Sequence, residues 1–259
     1  MLLLHIGAFR FDIDSQRATL WHSLAPRTRV LCMLLVVFAT ALTANGRWLT
    51  WMVYGLGVIA IALASRVTLS VLLKRVAVEF IFVGVVLLGT LFRDGGQVVW
   101  QWGWLQITTG GLTVLGSVML KGLLALAMLN VLVLTTSIPA LLHAMVALRS
   151  PPLLVAISAA MYRYIGVLID EFTAMRQAAL SRNLMNGRHW QRLMAGHMIG
   201  ALFIRTYERG DRIHQAMLAR GYTGIPPVMD IPLGGKLDVV VLTVTLIWLL
   251  GGQAVYWLS

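Results

Sequence analysis

Apolar residues crowd five stretches of the chain, about 29–45, 48–65, 77–92, 113–136 and 237–257, with polar residues gathered between them. Each stretch approaches the roughly 20 residues that carry a helix across a bilayer. The first two predict a helical hairpin, because Asn45-Gly46-Arg47 between them suits a tight turn. Between the fourth and fifth stretches the pattern changes. Met161, Ile165, Leu168, Phe172, Met175 and Ala179 alternate steps of four and three, which predicts an amphipathic helix. Leu193, His197, Gly200, Ile204 and Tyr207 predict a second one, separated from the first by Asn186-Gly187-Arg188. Pro139 and Pro151-Pro152 punctuate the start of this region, and Pro226-Pro227 and Pro232 its end. The chain therefore divides into residues 1–136 (an N-terminal segment and four spans), a module at 137–236, and a last span at 237–259. The fold expected is an all-α polytopic membrane protein with about five transmembrane helices plus two long cytoplasmic helices.

Composition fixes the class. Of 259 residues 59% are hydrophobic and only 12% charged, with a mean hydropathy of +0.82. A soluble domain carries about 25% charged residues, which excludes that class. The formal charge of +11 is then a mark of the cytoplasmic side, not a nucleic-acid footprint, and no nucleic-acid partner is expected. With the N-terminus inside, residues 1–29, 66–76 and 137–236 hold 18 Lys and Arg, while the outer loops hold Arg47 and Arg93 alone. That asymmetry predicts a cytoplasmic N-terminus, a cytoplasmic module at 137–236 and an external C-terminus. Trp100, Trp102 and Trp104 in the second outer loop suit an interfacial aromatic belt. The opening "MLLLHIG" has too short an apolar stretch for a signal peptide and is expected to be retained.

Candidate chemistry is sparse. No G-x-x-x-x-G-K-[ST] occurs, so the chain is not expected to hydrolyse ATP alone. Six histidines form no H-x-x-x-H or H-x-H pair, and Cys32 is the one cysteine, so neither a metal centre nor a disulfide is expected. No catalytic residue and no cofactor site is expected either. His189 and His197, two turns apart, read as packing residues. Glu79 follows Arg75 by four residues and predicts a local pair. Lys121, within the fourth stretch, is expected to snorkel or to bond carbonyls.

One phrase is written twice. Gln177, Ala178, Leu180 and Arg182 recur 38 residues later as Gln215, Ala216, Leu218 and Arg220, with Ser181 and Asn183 standing where Ala219 and Gly221 do. Each copy closes one amphipathic helix. Glycine, and after it asparagine, accepts the left-handed conformation that ends helices, so each arginine is expected at a capped tip. There it complements the negative end of the helix dipole. Two equivalent knobs on one chain suggest two equivalent sockets, as a dimer of partner subunits would provide. Gly196 and Gly200 add a small-xxx-small pair that would admit a close helix. Arg205, Glu208, Arg209 and Arg212 are spaced for one charged face, with Glu208 and Arg212 at i,i+4. Asp170 and Glu171 are expected to pair with Arg163, Arg176 or the second helix.

These residues resemble the transmembrane T component of energy-coupling factor transporters, a class of ABC-type vitamin and metal importers. Ser181-Arg182-Asn183 and Ala219-Arg220-Gly221 are similar to that family's paired Ala-Arg-Gly-like signatures at the ends of two coupling helices. The first copy departs from Ala-Arg-Gly at two positions and keeps its arginine. "TTSIP" at 135–139, "SPPLL" at 150–154, "MYRYIGVLIDE" at 161–171 and "QAMLARGY" at 215–222 look most like the cobalt/nickel branch. The resemblance runs from about 115 to 225 and is hydropathic elsewhere. It implies a non-catalytic subunit of a prokaryotic inner-membrane importer. Two cytosolic ABC ATPases would each receive one arginine-tipped helix, and a separate metal-type substrate-binding membrane S subunit would pack on the long helices. Arg163, Asp170, Glu171, Gly196 and Gly200 would then scaffold the coupling helices. Two other classes remain open: a secondary transporter, for which Lys121 and Asn130 are thin support, and a membrane enzyme acting on a phosphorylated lipid, for which only Asp170-Glu171 offer adjacent carboxylates.

Overall fold

The computed structural model describes residues 19, 21–88, 98–102, 105–184, 188–222 and 234–258. Among them are eight helices: α1 (Pro26–Leu42), α2 (Trp48–Ala64), α3 (Leu69–Leu88), α4 (Thr109–Thr135), α5 (Ile138–Ala147), α6 (Pro152–Ser181), α7 (Arg188–Ala219) and α8 (Lys236–Leu258). The helical architecture agrees with the periodicity. Between α3 and α4 lies an antiparallel hairpin of β1 (Val98–Trp102) and β2 (Leu105–Thr108), which that periodicity did not announce. It places Trp100 and Trp102 on β1; Trp104 lies outside the described residues.

Two helix assignments differ from the pattern. Helix α3 begins at Leu69, not near 77, because Lys74, Arg75 and Glu79 interrupt the apolar run without being poor helix formers. Glu79 takes a hydrogen bond from Asn130 Nδ2 on α4 at 2.7 Å in place of the local Arg75 pair. The amide also donates to its own helix at Leu126 O, 3.0 Å away. Helix α5 was masked by Pro139, which sits in its first turn, where a missing N–H costs nothing. Helix α6 opens in the same way, with Pro152 at its first position.

The chain forms two compact units, one of Met1–Ala144 with Pro232–Ser259 and one of Met145–Ile231. In the first, α1, α2, α4 and α8 converge on Cys32, Val36, Trp51, Tyr54, Val58, Met128 and Leu249. A second cluster, with Ala62, Leu72, Val76, Val131 and Leu134, joins α2, α3 and α4. The expected α1–α2 hairpin is present: Gly46 takes φ +89°, and its N–H donates to Ser117 Oγ of α4 at 2.9 Å. Helices α2 and α8 pack closely enough that a Cβ on Gly57 would run into the Trp248 indole, whose Nε1 donates to Val53 O at 3.3 Å. Around this core Phe38, Leu42, Leu56, Ile59, Val78, Ile81 and Ile247 face outward. An apolar surface with a tightly packed interior is the arrangement a bilayer requires. Among the described residues α4, α6 and the Lys236–Ala254 part of α8 are, by length and composition, long and apolar enough to cross a membrane, α6 although it lies in the module expected on the cytoplasmic side.

Lys121 lies one turn beyond Ser117, and so one turn from the level of the Gly46 bend. Its Nζ sits 5.6 Å from the Trp51 ring centroid, a cation–π contact that shelters the charge beside a buried aromatic.

Candidate functional site: two arginine-tipped helix ends

The second unit is built from α6 and α7. At the end of α6, Leu184 N donates to Ala179 O and Asn183 N to Leu180 O, both at 3.0 Å. At the end of α7, Tyr222 N donates to Met217 O at 3.0 Å and Gly221 N to Leu218 O at 2.9 Å. Every one of these partners maps onto its counterpart by the same 38-residue offset. The pair of bonds, five residues back and three residues back, is the Schellman cap. Asn183 and Gly221 occupy its left-handed position with φ +55° and +81°. The two written phrases thus fold into two copies of one terminus.

Arg182 and Arg220 hold the same place in each cap, immediately before the left-handed residue. Ser181, Arg182, Asn183, Ala219, Arg220 and Gly221 are all exposed. Among the described residues neither guanidinium makes a hydrogen bond or an ion pair, so each presents its full fork of donors outward.

The helices cross at a charge cluster. Glu171 Oε1 lies 3.4 Å from Arg205 Nη1, and Glu171 Oε2 lies 3.4 Å from Arg209 Nη2. The first contact is a hydrogen bond, while Oε2 is within ion-pair range but not aligned for one. Glu171 and Arg209 are themselves related by the 38-residue offset, so the ion pair joins equivalent positions of the two copies. Arg182 lies eleven residues beyond Glu171, and Arg220 eleven beyond Arg209. At 1.5 Å per residue each tip stands about 16 Å along its helix from the crossing. The two tips are therefore equally far along their helices from one ion-paired pivot.

Of the acidic pair only Glu171 bonds the second helix; Asp170 and Arg163 are exposed and make no side-chain contact with each other. Leu168, Phe172, Met175 and Ala179 are sheltered as the stripe on α6 predicted, whereas Met161 and Ile165 stay open. On α7 the sheltered face runs through Met194, Met198, Leu202, Thr206, Arg209 and Ile213. It is rotated from the expected stripe, and Leu193, Ile204 and Tyr207 are exposed. Among the described residues no other segment lies within 4 Å of a Cβ at Gly196 or Gly200. Arg212 donates through Nε to the Glu208 backbone carbonyl at 3.3 Å, not to its carboxylate.

Beyond the crossing the helices part, leaving an open apolar groove of about 440 Å³. Ile157, Met161, Tyr164, Ile165 and Leu168 line one side, with Thr206, Arg209 and Gly210 on the other. The sequence left the second helix as one of three options for Glu171 and did not single out Arg205 and Arg209 as its partners, or the groove. Extending the 38-residue offset back to Glu171 points to Arg209.

Comparison with known proteins gives this arrangement a context. The family model for CbiQ, described as cobalt transport protein, matches residues 17–230. An energy-coupling factor transporter transmembrane protein EcfT of Lacticaseibacillus paracasei is 26% identical over 215 residues, covering 78% of this chain and 81% of the relative. The EcfT of Thermanaerovibrio acidaminovorans is 30% identical over 215 residues, covering 78% of this chain and 79% of the relative. A putative fused cobalt transport protein CbiMQ of Methanocorpusculum labreanum is 34% identical over 121 residues, 46% of this chain and 20% of that longer protein.

Proposed function

Because this chain belongs to the CbiQ family of cobalt transport proteins, we propose that it is the coupling subunit of an energy-coupling factor importer. It has no bond-breaking chemistry of its own and carries the motion of two cytosolic ABC ATPases to a substrate-binding membrane subunit. The observation that carries this reading is the pair of matching caps, each presenting an exposed arginine without a partner among the described residues, at an equal number of residues from one pivot. A dimer of ATPases offers two equivalent grooves, and two equivalent arms meet that symmetry. Each guanidinium would bond carboxylates and backbone carbonyls in its groove.

The N-terminus and the 137–236 module are cytoplasmic and the C-terminus external, following the 18-to-2 distribution of basic residues. The membrane is the inner membrane of a prokaryote. The apolar groove between α6 and α7 and the small face of Gly196 and Gly200 are surfaces for the substrate subunit. The cargo is cobalt or nickel, a reading supported by the family description and by the name of the fused relative. Selectivity then belongs to the substrate subunit.

The test is assembly and metal uptake for Arg182→Ala, Arg220→Ala, the double variant and Arg212→Ala at matched expression. Truncating a desolvated interfacial arginine costs about 2–5 kcal/mol, because its partners are left unpaired. Each single variant should retain less ATPase and transport more slowly, and the double variant should lose uptake. Arg212→Ala, whose side chain is bonded to its own helix, should behave as wild type. Wild-type assembly and uptake in the double variant would reduce the repeated phrase to a pair of helix caps.

A further inference from the structure

The first unit holds a second charged pair, at the two places where the chain leaves for the coupling helices and returns from them. Arg29, in the first turn of α1, is buried, with four hydrogen bonds. Its Nη1 donates to Thr135 O at 2.8 Å and to Thr136 Oγ1 at 3.4 Å; its Nη2 donates to His22 O at 2.6 Å and Leu24 O at 3.0 Å. Thr135 is the last residue of α4 and Thr136 its cap. A cation therefore sits on the negative end of α4 and satisfies a carbonyl the helix leaves open.

Asp238 mirrors this at the other polarity. It lies in the first turn of α8, is equally buried, and divides its two oxygens between two helix starts. Oδ2 accepts from Gly235 N at 2.7 Å, the reciprocal half of a capping box on α8. Oδ1 accepts from Ala25 N at 2.8 Å, and Ala25 is the N-cap of α1. One carboxylate thus holds the positive ends of two helices. Gly234 is packed against the same group: a Cβ there would meet Arg27 Nη2 at 2.6 Å and Asp238 Oδ2 at 2.7 Å.

Thr136 precedes the second unit by nine residues, and Asp238 follows it by seven. Both roots of the coupling module are therefore tied, through Arg29 and Asp238, to the start of α1. We propose that Arg29 and Asp238 are positioning residues for coupling: they fix the roots of the coupling helices, so that displacement at the arginine tips moves the bundle instead of fraying α4 and α8. The inference rests on the coupling reading above. Buried charge-assisted bonds resist such fraying better than a neutral apolar contact, because each broken bond strands a charge.

The experiment uses the complete complex reconstituted in liposomes, with Co²⁺ and Ni²⁺ as probes, and measures ATPase subunits retained, ATP hydrolysed and metal taken up. The variants are Arg29→Lys, Asp238→Asn and Gly234→Ala, all mild in volume. Losing one charge-assisted bond should lower metal uptake per ATP by about tenfold, with ATPase retention and hydrolysis within about twofold of wild type. An unchanged ratio of uptake to ATP hydrolysed in all three would overturn the inference. So would loss of the assembled complex in all three, since the pair would then hold the fold and nothing more. The coupling reading has a separate arm: if Arg182→Ala with Arg220→Ala assembles and transports normally, that reading fails whatever the Arg29, Asp238 and Gly234 variants do.

Discussion

At the residue scale the decisive feature is a left-handed backbone position placed immediately after an arginine, twice. Gly221 takes it at φ +81° and Asn183 at φ +55°. An L-residue with a Cβ pays roughly 1–2 kcal/mol there, and asparagine offsets part of this by local hydrogen bonding. Gly221→Asn should therefore keep the cap and its ATPase, whereas Gly221→Val should loosen the last turn, swing Arg220 and lower the ATPase co-purified with the chain. Retention by Gly221→Val equal to wild type would show that the tip does not depend on its cap. This much was legible, because a cap is a local event and both residues announce it. The partners of Glu171 were not: Arg163, Arg176 and the basic residues of the second helix all stood open, and only the packing of two helices selects Arg205 and Arg209.

At the element scale the pivot acts through geometry more than through energy. The side chains of Arg205 and Arg209 are 59% and 39% exposed, so each pair contributes on the order of 0–1 kcal/mol. Glu171→Arg should leave the chain stable but gather three guanidiniums at the crossing, opening the helices and slowing uptake. Adding Arg209→Glu exchanges the charges between equivalent positions, and uptake should recover most of its loss. A double variant no better than Glu171→Arg would mean that the pair does not set the crossing. Helix periods were read well where one face alone was apolar, as in the C-terminal half of α6. They were misread on α7, where Leu193, Ile204 and Tyr207 are exposed and the sheltered face includes Thr206 and Arg209. The start of α3 and the whole of α5 were hidden by charges and a proline that a helix tolerates.

At the scale of the whole molecule, the proposed function gives anchorage to a bundle with an apolar exterior and contact to a module with two charged tips. Composition and hydropathy made the membrane class and the bundle plain, since a bilayer demands long apolar helices. They were silent on the clasp of Arg29 and Asp238, whose members stand 209 residues apart in sequence. The central claim is that both tips meet ATPases on the cytoplasmic side at once. A photo-crosslinking residue placed at 182, at 220 or at both, in the intact complex in its membrane, tests it most directly. The account predicts that each single position captures one ATPase subunit and that the double position captures two on one chain. Capture of lipid alone at both positions, or of an ATPase at only one of them, would contradict it.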